Sequence, residues 1–289
     1  MIRVARIKDR KSLLKRPVAA KPRRIGRGFT ARHFSEDMFG RQMDPLLMVD
    51  HFVMTEPTFG PHLHAGISAV TVMFEDSEGE FLNRDTLGQN IALKPGDLYW
   101  LAAASGAVHE EQPARGARTH ALQIFVNLPA RLKRKPARSL HVRAEDVPVL
   151  TGDGYRVRVL LGASHDVRGA DGTPEEMTML EGFLEPGARF SHLLPDGRQA
   201  WIYAVAGKLQ VRLQDEQRLF EAGAALAVEA GEQAEISLEA GEPSHFVIMA
   251  AKPIREPFVK HGALVMSTAA DVQRTLADYA AGRFGRLPT

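Results

Sequence analysis

An all-β protein of two successive antiparallel barrels is predicted by three features of this 289-residue sequence. Its apolar runs are short, turn residues punctuate them, and no helical apolar period intervenes before residue 268. At 44% hydrophobic residues, each barrel has material for a core of its own.

The chain begins with a basic arm over residues 1–28, where eleven Lys and Arg stand against the single acid Asp9, leaving 26 bases against 34 acids in the remainder. Such an arm can hold an anionic surface or lie along the acidic face of its own body. The second reading is preferred, because no aromatic residue interleaves the charges and no DNA-binding motif is present, so direct nucleic-acid binding is not expected. The first barrel is assigned to residues 29–140, with strands at Leu46–Phe52, Ser68–Phe74, Asn90–Leu93, Leu98–Leu101 and Ala121–Asn127. Lys94-Pro95-Gly96-Asp97 reads as the turn between two of them, since proline fixes φ and glycine accepts a positive φ. Pro129 to Pro148, rich in Arg, Lys and Pro, reads as a connector. The second barrel, residues 141–289, repeats the style in Arg156–Gly162, Met177–Glu185, Gln199–Val205, Lys208–Leu213, Ala225–Glu229, Ala234–Leu238 and Phe246–Ala251. Thr268 with Asp271 three residues on starts one short helix, and Val272, Leu276 and Tyr279 share its face before Gly282.

Four residues carry the chemistry. His62 and His64, then His109 and Glu111, are pairs at a spacing of two within strand-like sequence, so each pair points to one face and two strands can converge on one cavity. Glu110 competes with Glu111 for the carboxylate role, but strand parity with His109 selects Glu111. Gly60-Pro61 bends the backbone just before the first pair. Three imidazoles and a carboxylate suit one divalent first-row ion, Fe(II), Mn, Ni, Cu or Zn, and leave two positions of an octahedral ion open. The absence of cysteine excludes thiolate sites and disulfides and fits a cytoplasmic setting. The remaining eight histidines, His33, His51, His120, His141, His165, His192, His245 and His261, are read as core or surface residues. No apolar run approaches the roughly 18 residues of a membrane span. Phosphate-binding and dinucleotide glycine motifs are absent, and Ser105 lacks a nucleophile-elbow context.

The stretches Asp44-Pro45-Leu46-Leu47-Met48-Val49-Asp50-His51-Phe52, Phe59-Gly60-Pro61-His62-Leu63-His64-Ala65-Gly66 and Gly106-Ala107-Val108-His109-Glu110-Glu111 resemble the pirin family of the cupin superfamily. The likeness continues through Asn83-Arg84-Asp85-Thr86-Leu87-Gly88 and Leu122-Gln123-Ile124-Phe125-Val126-Asn127 to Gly262-Ala263-Leu264-Val265-Met266-Ser267-Thr268. The resemblance implies a bicupin of two stacked jelly-roll barrels, with a single metal, most often iron, in the N-terminal one. Carried over position by position, its ligands fall on His62, His64, His109 and Glu111. It further implies quercetin 2,3-dioxygenase activity on a flavonol-like substrate, with Glu111 also a candidate proton acceptor, or alternatively a redox-sensitive regulator that binds a transcription factor or metabolic enzyme. A monomer is expected.

Two departures from the family pattern are visible. Ser68 stands where the family commonly has an acidic residue, expected near the metal, and the turn Glu75-Asp76-Ser77-Glu78-Gly79-Glu80 is more acidic than usual. Phe52, Val70, Val72, Trp100 and Phe125 are the candidate apolar walls. In the second barrel, Ser191-His192-Leu193-Leu194-Pro195 offers one His without a partner at strand spacing, so that barrel is expected to be metal-free.

Overall fold

The computed structural model describes residues 12–288. Each half forms a seven-stranded and a four-stranded antiparallel sheet folded over one another. In the first half the large sheet runs in the order Arg138–Val142, Leu98–Ala102, Ile67–Met73, Thr119–Asn127, Leu46–Met54, Phe29–Ser35, Lys21–Ile25. Its small sheet holds His62–His64, Ala107–Pro113, Phe81–Asp85 and Asn90–Leu93. In the second half the large sheet contains Ala224–Glu229, Gln199–Ala206, Ser244–Ala251, Met177–Leu184, Tyr155–Leu161 and Val149–Gly152, and Val18–Ala19 joins its edge.

The two large sheets pack face to face, which explains why their central strands are largely buried on both sides instead of alternating. One face of Ile67–Met73 sends Val70 and Val72 into the contact with the second barrel, where Trp100, Leu122, Trp201 and Tyr203 join them. The other face sends Met73 into the lumen of the first barrel with Phe29, Phe52, Phe81 and Tyr99. A separate core of Val157, Phe190, Ile202 and Phe246 fills the second lumen.

Three segments take places the sequence did not indicate. Residues 18–25, read as part of a basic arm, are strands: Val18–Ala19 pairs with Ala224–Ala225, and Lys21–Ile25 pairs with Phe29–His33, so this stretch joins both barrels. A basic edge strand fits this place, since solvated Lys and Arg discourage further pairing at an open edge. Residues 1–11 of the arm lie outside the described residues. Within the supposed connector, Arg138–Val142 adds a strand beside Leu98–Ala102, so a boundary after residue 140 falls inside a strand of the first sheet. The helix Ala269–Ala280, counted with the second barrel, instead packs on the first: Val272, Leu264 and Met266 cover Leu63, Ala65 and Val108 behind the His62–His64 strand. Thr268 caps it as the sequence predicts, its Oγ1 accepting from the Asp271 amide at 3.1 Å, while Tyr279 is 43% exposed because it has rotated off the buried stripe.

The return of the C-terminal segment fixes the turn that follows His64. Gly66 has φ of 74°, and a Cβ there would lie 1.9 Å from the Val265 carbonyl oxygen, so only glycine fits. Beside it the buried Lys133 ammonium donates to the Gly66 and Val265 carbonyls and to Asn127 Oδ1 at 2.6–2.8 Å. No helix among the described residues is long and apolar enough to cross a membrane.

Candidate metal centre

The register of two short strands assembles the site. His62–His64 runs antiparallel to Ala107–Pro113, placing His62 opposite His109 and His64 opposite Ala107. Because alternate residues share a face, the three imidazoles enter the lumen together. Their Nε2 atoms converge: His109 Nε2 lies 2.9 Å from that of His64 and 3.2 Å from that of His62. Each ring offers one ligand atom within 4.8 Å of the other two.

The chemistry of this donor set fits a divalent cation. His62 Nδ1 lies 2.9 Å from the Gly60 carbonyl, an acceptor, so the proton resides on Nδ1 and a lone pair on Nε2 faces the cluster. Burial pulls the His64 pKa down to about 3, with His62 adding to the effect, and holds His109 well below its ordinary value. Burial likewise lowers His62, against the pull of the Gly60 carbonyl and Glu110. Neutral imidazoles with lone pairs directed at one point repel one another until a cation takes the space between them.

Glu111 is placed differently from the three histidines. It shares their cavity, but its Oε1 accepts from the Thr71 hydroxyl at 2.6 Å, and the convergent ligand atoms among the described residues are those of the imidazoles alone. Burial pushes its carboxyl up to about 7, with the Thr71 hydroxyl acting in the opposite direction. Glu110 faces away, as parity requires, toward Arg84 and Gln112.

A cavity of about 330 Å³ opens on this cluster. Phe52 and Phe125 line it as the sequence predicts, with Phe29, Phe59 and Phe81. Val70, Val72 and Trp100 do not: they lie on the opposite strand faces, in the contact between barrels. Ser68 shares that outward parity and is fully buried beside Ala102 and Val126, so its difference from the family leaves the lumen unchanged. Polar residues with no local motif complete the wall. Asp50 accepts from Arg23 at 3.3 Å and pairs with His33 at 2.5 Å, and both partners line the cavity. Only the pairing of Phe29–Ser35 with Leu46–Met54, which sets His33 opposite Asp50, brings them together.

Five histidines outside this cavity bond within the scaffold. His141 bonds Asp97 at 2.8 Å, His245 bonds Glu181 at 3.0 Å, and His192 in the second lumen contacts Ser164 at 3.0 Å. His51 and His120 meet between the barrels.

Two stacked antiparallel barrels, with a triad of convergent imidazoles in the first, define a bicupin with a centre suited to a divalent metal. The Pirin domain matches residues 19–126 and the Pirin C-terminal cupin domain residues 179–285, and the chain belongs to the pirin family. Pirin of Mus musculus is 30% identical over 240 residues, covering 83% of this chain and 82% of that protein. A pirin-like protein of Solanum lycopersicum is 29% identical over 278 residues, 96% of this chain and 94% of its own length. The crystal structure of a quercetin 2,3-dioxygenase from Acinetobacter baumannii superposes with a TM-score of 0.83 at 28% identity, covering 95% of this chain and 99% of that one.

Proposed function

We propose that the chain is a metal-dependent dioxygenase of the quercetin 2,3-dioxygenase type, with His62, His64 and His109 holding one divalent ion, Fe(II) before Mn, Ni, Cu or Zn. The observation that carries this reading is the meeting of three Nε2 lone pairs at the end of a phenylalanine-lined cavity. The superposition on the Acinetobacter baumannii dioxygenase supports it. When bound, such an ion would supply Lewis acidity toward a substrate oxygen, and a redox-active one such as iron would also give access to dioxygen. The residues of the chain do the rest. Phe52, Phe59 and Phe125 give a flat aromatic substrate a dry, apolar slot beside the imidazoles. Glu111, with a proton affinity near neutrality, either completes the ligand set or accepts the proton of a substrate hydroxyl, and Thr71 holds its carboxyl toward the lumen until then. The Arg23, Asp50 and His33 group supplies polar contacts on the adjoining wall.

The test is to load the protein anaerobically with Fe(II), supply quercetin in air, and follow oxygen uptake together with carbon monoxide release. Turnover by the wild type and its loss in a folded His62→Ala variant is the expected result. A wild type that takes up the ion and consumes no oxygen with any flavonol overturns the enzymatic reading.

A further inference from the structure

A second cavity, of about 1000 Å³, lies between the barrels, away from the imidazole triad. It forms where the two large sheets, sealed by apolar side chains over most of their contact, meet through polar and aromatic residues instead. Its floor is one transverse row of the second sheet. Ala206, His245, Phe183 and Arg156 occupy paired positions on four adjacent strands, a span of about 14 Å at the ordinary strand spacing. Phe183 stacks on His245 with ring centroids 4.2 Å apart and planes 17° from parallel, yet remains 37% exposed. An aromatic face is thus held rigid and left open.

The opposite wall comes from the first barrel, where Arg32 pairs across strands with His51 and His120 lies nearby. The histidines here are saturated. Asp76 only accepts, so His120 Nδ1 donates to it at 2.7 Å; His120 Nε2 then accepts from His51 Nε2 at 2.6 Å, and His51 Nδ1 accepts from the Tyr203 hydroxyl at 2.5 Å. Other polar side chains are also engaged: Arg156 makes two bonds to Glu75, and His245 bonds Glu181. Glu185 stands exposed at the rim. The guanidinium of Arg32 differs from these. It donates to the Val205 carbonyl at 3.3 Å and to the Tyr203 hydroxyl oxygen, and has no carboxylate partner among the described residues.

We infer that this cleft is a second ligand site, which takes a flat aromatic carboxylate, its ring on the Phe183 and His245 platform and its carboxylate on Arg32. The volume suits a molecule of that size, clefts between domains are common positions for such sites, and a guanidinium pairs with a carboxylate through two parallel N–H bonds. Neither the triad imidazoles nor Glu111 line this cleft.

Titration calorimetry with 2-naphthoate and its uncharged counterpart 2-naphthylmethanol tests the inference on the full-length, metal-loaded protein. Wild type should bind 2-naphthoate saturably at one site. Phe183→Ala should weaken both probes at least tenfold, and Arg32→Gln should weaken 2-naphthoate about tenfold while changing the alcohol less than twofold. Both positions reach solvent, and an unchanged melting temperature and metal content will show that the variants are folded. His62→Ala, which empties the other site, should bind 2-naphthoate like the wild type. No saturable binding by wild type, wild-type affinity in Phe183→Ala, or loss of binding in His62→Ala each overturns the inference and leaves the metal reading untouched.

Discussion

His109 stands between the other two imidazoles, and its removal therefore costs the cluster more than one donor. His109→Ala is expected to weaken uptake of a divalent first-row ion by at least about 100-fold, beyond the usual effect of disturbing a supporting contact. A chelator-competition titration reads this directly, and wild-type affinity in a folded variant would remove His109 from the ligand set. Lys133 is the second residue whose loss should be large. Its ammonium satisfies three buried acceptors, two of them the carbonyls that bracket the turn after His64. Lys133→Met removes the ammonium from all three, leaving Asn127 Oδ1 only its bond from the Leu128 amide, and should cost about 3 kcal/mol, seen as a lower urea midpoint at an unchanged slope. Neither the three bonds nor the burial of this lysine was legible in the sequence, where Lys133 sits in a basic, proline-rich stretch that resembles solvated linker. The shared face of His62 with His64, and of His109 with Glu111, was legible because a strand repeats every second position, so a spacing of two states a common face without knowledge of the fold.

At the scale of single strands, parity decides which side chains reach the lumen. His109 and Glu111 face the lumen and Glu110 does not, and the same rule separates Thr71 and Met73, which face inward, from Val70 and Val72, which face the other barrel. The sequence could not assign the inner face of Ile67–Met73, because every residue of the strand is buried and its two polar residues, Ser68 and Thr71, fall on opposite faces. The neighbouring turn gives a prediction that belongs to this scale. In Gly66→Ala the new Cβ falls on the Val265 carbonyl oxygen at a positive φ, so the turn between His62–His64 and Ile67–Met73 must shift together with Leu264–Met266. A loss of about 2–4 kcal/mol is expected, accompanied by weaker metal binding because His64 moves with the turn. Chemical denaturation and metal titration on the same variant check both halves. A variant as stable as wild type would show that the C-terminal segment does not press on the site.

At the scale of the molecule, the barrels and their number follow from local runs and turns, whereas the crossings between them do not. Val18–Ala19 joins the far sheet and the C-terminal helix returns to the near barrel through pairings more than 190 residues apart, which no local pattern encodes. What these crossings enclose determines the response to acid. His51 between the barrels and His192 in the second lumen are buried, and desolvation lowers their pKa values from 6.5 to about 3 and about 4. In the unfolded chain each titrates near 6.5, so below that pH the unfolded state binds protons that the native state refuses, and stability falls as pH falls. Each imidazole contributes a slope of up to about 1.4 kcal/mol per pH unit, beginning near pH 6.5 and ending only below its native pKa. The triad imidazoles and His120 act with the same sign; Glu111, raised by burial, opposes them. A difference measurement separates His51 from the rest. Urea midpoints of metal-free wild type and His51→Gln, taken from pH 7.5 to 5.0, should converge on acidification, because the variant lacks one of the protons that destabilise wild type. Parallel curves would mean that His51 carries its charge in the native interface, and the direction assigned to the Tyr203, His51, His120 and Asp76 chain would then be wrong.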